Sequence, residues 1–112
     1  CESCPQFVSG SEYLERMQAE GTLVPGVTYT TVMTRYDQLV VPYTSGHLEG
    51  ATNIVVQDGC EIDLSDHLSI ISTERTGQIV LNALDPDDAV EPPCRPSLPA
   101  LGNEVLPGVP AR

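Results

Sequence analysis

Seven of the ten prolines in this 112-residue chain fall after Asp85, at positions 86, 92, 93, 96, 99, 107 and 110. Proline has no amide proton, and its ring blocks the preceding helical turn, so residues 86–112 cannot supply helices or central strands. Regular structure must therefore come from residues 1–85, with residues 86–112 wrapping the surface as an extended tail. The chain is 40% hydrophobic and 19% charged, which is too apolar for disorder, and its length allows one domain or less.

The first 85 residues read as helix, strand, loop, strand, loop, helix. Ser9 and Glu12 have the spacing of a capping box ahead of the stripe Tyr13, Leu14 and Met17, and Gly21 ends that helix. After the turn at Pro25-Gly26, residues 27–34 alternate with both faces β-branched or apolar, as in a strand covered on both sides. Residues 52–57, around Ile54-Val55-Val56, form a second short strand. The connection through Pro42, Gly46 and Gly50 is long enough to cross over, which predicts parallel pairing. Ser72 or Thr73 caps a final helix over residues 74–84, whose apolar positions are Ile79, Val80, Ala83 and Leu84. This order is the closing portion of an α/β sheet.

A net charge of −11, with five arginines and no lysine, argues against nucleic acid and against an anionic membrane surface. No apolar run reaches the ~20 residues needed to span a bilayer. Four cysteines allow three fully paired connectivities, of which Cys1–Cys4 with Cys60–Cys94 is favoured. That pairing would pin the tail to the loop that carries His67. Zinc is the weaker reading, because only one C-x-x-C is present, and free thiols are the remaining one. No metal or other cofactor is implied. Asp58, Glu61, Asp63 and Asp66 crowd one loop, but their spacing does not match a calcium-binding EF-hand.

Side chains leaving neighbouring parallel strand ends converge on one crevice. Asp37 follows the first strand and His67 lies in the loop after the second, so the pair can meet as the acid and base of a Ser-His-Asp hydrolase. The bland readings are a turn-forming Asp and a surface His, and surface is the better reading of His47. Ser11 starts a helix rather than forming a nucleophile elbow, and no G-x-S-x-G stands in the chain. The first residue is Cys1, and the expectation is a C-terminal part of a larger enzyme.

The segments Thr28-Tyr29-Thr30, Thr34-Arg35-Tyr36-Asp37, Pro42-Tyr43-Thr44-Ser45, Gln57-Asp58-Gly59-Cys60, Asp66-His67-Leu68 and Val80 to Pro86 carry a further signal. Together with Cys1 to Cys4 and Gly10-Ser11, they resemble the secreted actinobacterial triacylglycerol lipases of the α/β-hydrolase superfamily. More distantly they resemble yeast lipase B-like enzymes. The resemblance implies the C-terminal part of an α/β-hydrolase fold: the last parallel strands and the final helix in residues 1–85, then the Pro-rich tail. It places the acid at Asp37 and the histidine at His67, lines the substrate pocket with Leu39 and Val40, and supports the Cys60–Cys94 pairing. Gln38 stands where the family usually has an acid, and Ser72-Thr73 where Tyr-Asp is common. The implied activity is hydrolysis of acylglycerols or other lipid esters outside the cell. Serine and oxyanion donors would come from an N-terminal half of the same enzyme. The alternatives are a non-catalytic lipid-binding module that keeps part of the fold, and a lipoprotein acylated at Cys1.

Overall fold

The computed structural model describes residues 1–102; the end of the predicted tail, with Pro107 and Pro110, lies outside the described residues. The chain is a small mixed α/β structure built on two parallel strands. Helix α1 spans Glu12–Ala19, strand β1 Thr30–Met33, strand β2 Thr52–Val55 and helix α2 Glu74–Leu84. Short 3-10 turns occupy Cys4–Phe7, Tyr43–Gly46, Val56–Gly59 and Ile70–Ser72.

Strands β1 and β2 pair in parallel with Thr30 opposite Thr52 and Met33 opposite Val55, so the long connection does cross over. Both strands are shorter than the alternation predicts. At the start, pairing begins where Thr52 N donates to Tyr29 O at 2.9 Å. At the end, residues 56–59 wind into a turn instead of continuing β2, which draws Val56 and Gln57 inward. Asn53 fixes the crossover: its Oδ1 accepts from Leu48 N and Thr31 Oγ1, both at 2.8 Å, and its Nδ2 donates to Leu48 O and Ala51 O.

Helix α2 has the predicted limits. Thr73 caps it, its Oγ1 accepting from Thr76 N at 3.1 Å. Its covered face carries Thr76 and Ile79, whereas Val80 and Leu84 are exposed. Arg75 joins the helix to the rest: Nε donates to Val56 O and one terminal nitrogen to Pro92 O, each at 2.9 Å. The guanidinium lies against Gly59, where any Cβ would collide with it. Asn82 holds the tail through paired bonds with Val90, and Arg95 pairs with Glu74.

Helix α1 begins two residues later than the capping box suggests. Ser11, not Ser9, is the cap, accepting from Leu14 N at 3.3 Å and donating to Gln6 O at 2.6 Å. The helix buries no residue, and Tyr13 and Met17 remain exposed.

Hydrocarbon fills little of the interior. Met33, Val56, Cys60 and Ile79 are the buried apolar residues among those described, beside buried Thr34, Gln57, Asp63, Ser65, Asp66, Ser69 and Ser97. Most of these polar groups bond to one another and to backbone at the ends of the strands; Ser65 Oγ and Asp63 Oδ2 are buried without a hydrogen-bond partner among the described residues. Cys1 pairs with Cys4 and Cys60 with Cys94, at Cα separations of 5.3 and 5.2 Å, and no described cysteine is free. No described helix is long and apolar enough to cross a membrane.

Candidate active site

Beyond β1 the chain turns at residues 35–40; beyond β2 it passes through the 56–59 turn and returns as residues 63–69. Three ties bring these two loops together. Gln57 Oε1 accepts from Arg35 N at 3.0 Å, while its Nε2 donates to Thr34 Oγ1 and Asp63 O, both at 3.0 Å. Thr34 Oγ1 donates in turn to Ser65 O at 2.5 Å. Tyr36 and Asp66 then form an isolated parallel bridge. The next residues along each chain are Asp37 and His67.

His67 Nδ1 lies 2.9 Å from Asp37 Oδ2 and 3.0 Å from Oδ1. With the carboxylate ionised, this nitrogen carries the proton and donates it, which leaves Nε2 as the acceptor. Among the described residues nothing bonds to Nε2. The His67 side chain is 38% exposed and that of Asp37 14%, so the ring is open to a reactant while the acid is largely covered. Asp37 Oδ1 also accepts the backbone N–H groups of Leu39 at 2.9 Å and Val40 at 2.7 Å, closing a tight turn. Burial pushes the Asp37 carboxyl up. The bonds from Val40 N, His67 and Leu39 N outweigh it and hold the pKa below its ordinary value.

Leu39 and Val40 act on the acid through their amides. Their side chains are exposed, Leu39 by 67%, and neither lines the cavity of about 450 Å³ beside the pair, which is bounded by Tyr36, Gln38, Leu64, Asp66 and Pro99. His47 is exposed, as the sequence suggests.

The crowded acids separate into distinct tasks. Asp58 pairs with Arg35. Asp63 Oδ1 accepts from Ser97 Oγ and from Ser65 N, holding the tail to the histidine loop. Asp66 Oδ1 accepts from Leu68 N, Ser69 N, Ser69 Oγ and Ala100 N, and its Oδ2 accepts from Gln38 Nε2. The bonds from Ala100 N and Ser69 Oγ are the strongest influences on Asp66. Against burial, and helped by Gln38 and Ser69 N, they keep its carboxyl far below the usual carboxylate range. Among the described residues no three His, Cys, Asp or Glu side chains gather as metal ligands would.

Sequence reasoning missed Gln57, Asp66 and Gln38 as the residues that position the pair. The one signal available was a run of polar residues inside a segment that otherwise reads as a buried strand and its loop. No protein family matches this chain, and no curated protein matches it.

Proposed function

We propose that this chain supplies the acid and the general base of a serine ester hydrolase acting on acylglycerols or other lipid esters. The observation that carries this reading is the Asp37–His67 contact, with Nδ1 held by the carboxylate and Nε2 free among the described residues. That polarity suits a base that takes a proton from a serine hydroxyl and returns it to the leaving alcohol, with Asp37 stabilising the imidazolium between the two steps. The serine and the oxyanion donors come from a complementary segment of an α/β-hydrolase fold, as the resemblance to the actinobacterial lipases suggests. Exposed Leu39 and Val40 just after the acid, and Leu68 next to the histidine, suit an apolar acyl chain. Two disulfides suit an oxidising, extracellular setting. The Cys1–Cys4 bond occupies the sulfur that acylation of Cys1 would need, which speaks against the lipoprotein reading.

The test compares the chain alone with the chain joined to a complement bearing a G-x-S-x-G serine. Alone, it should hydrolyse p-nitrophenyl esters no faster than His67→Ala. Joined, it should cleave them and label with a phosphonate serine probe. In the joined protein His67→Ala should cost several orders of magnitude, and Asp37→Asn about 10⁴-fold through loss of the correct tautomer. A joined protein that binds lipid yet stays inert to the probe would identify a binding module instead.

A further inference from the structure

The Gln38 carboxamide joins the two loops immediately beside the Asp37–His67 contact. Its Oε1 accepts the His67 backbone N–H at 3.2 Å, and its Nε2 donates to Asp66 Oδ2 at 2.8 Å. One planar group thus grips the histidine's own peptide and the residue before it, from the position directly after the acid. Asp66 is a firm anchor, because its other oxygen already accepts from Ser69 Oγ at 2.7 Å and from Ser69 N and Ala100 N at 3.0 Å. A side chain at position 38 must therefore accept from an N–H and donate to a carboxylate at the same time. At neutral pH the carboxamide does both with a single planar head group.

We infer that Gln38 is a positioning residue for His67, setting how closely and at what angle the ring meets Asp37 without touching either reacting group. Its catalytic consequence rests on the ester-hydrolase reading, but the geometry it controls is measurable without any reaction. The larger tie between the loops, through Gln57 and Thr34, does not involve residue 38. Losing the carboxamide therefore loosens the alignment of the pair and leaves the sheet standing.

Substituting Gln38→Glu turns this into a titration. As the neutral acid, the new carboxyl donates O–H to Asp66 and accepts from His67 N, reproducing both bonds. Ionised, it presents only acceptors to Asp66. The groups facing this position are Asp66 and the Asp37–His67 pair, with the Tyr36 phenol at the cavity rim; the tail contributes Pro99 and the Ala100 N–H, which do not ionise. With Asp66 ionised at 2.8 Å in the parent structure, the introduced acid keeps its proton to higher pH than a free glutamate.

The experiment follows the His67 Nδ1 proton by NMR in the histidine-labelled 112-residue chain, with exposed His47 as the internal reference. In the parent chain this proton should exchange slowly while Asp37 is ionised, and each variant is compared with the parent at the same pH. Gln38→Leu should speed its exchange by about tenfold, the scale of one lost hydrogen bond, while the β1–β2 amides stay protected. In Gln38→Glu the exchange rate relative to the parent at the same pH should be near one at acid pH and rise, reversibly, as pH increases. Unchanged exchange in a folded Gln38→Leu protein would overturn the inference. Should that variant unfold, a Gln38→Glu-to-parent exchange ratio that does not change with pH would overturn it alone. Neither readout needs a serine, an ester or a probe, so failure of hydrolysis and failure of this inference are separate results.

Discussion

Gln57 donates its side-chain amide to Thr34 Oγ1 at 3.0 Å inside the molecule, and both residues are almost wholly buried. The same amide donates to Asp63 O, the same hydroxyl donates to Ser65 O, and Gln57 Oε1 takes the Arg35 N–H. A directional polar cluster, and not hydrocarbon, thus sets the distance between the end of β1 and the loop that bears His67.

Replacing Gln57 by Leu keeps much of the volume and removes the three bonds its carboxamide makes, leaving the Thr34–Ser65 bond in place. Arg35 N–H and Asp63 C=O lose the partner they have here, at about 1–3 kcal/mol per buried unpaired group. The expected outcome is a loss of about 2–5 kcal/mol in urea unfolding, with the midpoint moved and the slope little changed. The same substitution should broaden or shift the His67 ring resonances, because the loops lose their common brace.

Acid should destabilise the fold through two carboxylates. Asp37 and Asp66 both titrate below their ordinary range when folded, Asp66 the more strongly. The unfolded chain therefore binds more protons than the native one as pH falls below about 4, and stability rises with pH across that region. Their contribution is complete above the unfolded pKa of about 3.9 and is lost as pH drops toward the folded values. Unfolding curves taken between pH 5 and pH 2 should show this slope, and Asp66→Asn should flatten it.

The Cys60–Cys94 bond closes 34 residues between the turn after β2 and the tail. On the chain-entropy relation such a loop contributes about 3–4 kcal/mol. The double substitution Cys60→Ala with Cys94→Ala should lower the denaturant midpoint accordingly. Removing Cys1 and Cys4 together should do far less, since that bond spans only three residues and its surroundings are exposed. Thiol counting under denaturing conditions should find none in the parent chain.

Much of this arrangement is legible in the residues themselves. The limits of α2 follow from Thr73 and from Asp85-Pro86, because a cap and a breaker act locally. Parallel pairing follows from the length of the crossover. The meeting of Asp37 and His67 follows from two strand ends lying side by side. The strand lengths were less legible: Val56 continues the apolar run of Ile54 and Val55 and Gln57 follows it, yet both leave the ladder, with the Gln57 carboxamide bonded to Arg35 N, Thr34 Oγ1 and Asp63 O. Ser9 and Ser11 offer competing helix starts, and the choice falls to Ser11, whose hydroxyl also reaches Gln6 O. Gln38 and Asp66 could not be assigned from spacing, since their partners lie 28 positions apart and meet only through the fold.

The polar interior described above has a thermal consequence. Exposing apolar surface raises the heat capacity and exposing polar surface lowers it. A chain whose buried side chains are chiefly Thr, Gln, Asp and Ser should unfold with less than the usual ~12–15 cal/mol/K per residue. Its stability curve is then shallow, so cooling weakens it little, and water competing for the donors and acceptors around Gln57 limits it more than the fading of the hydrophobic effect does.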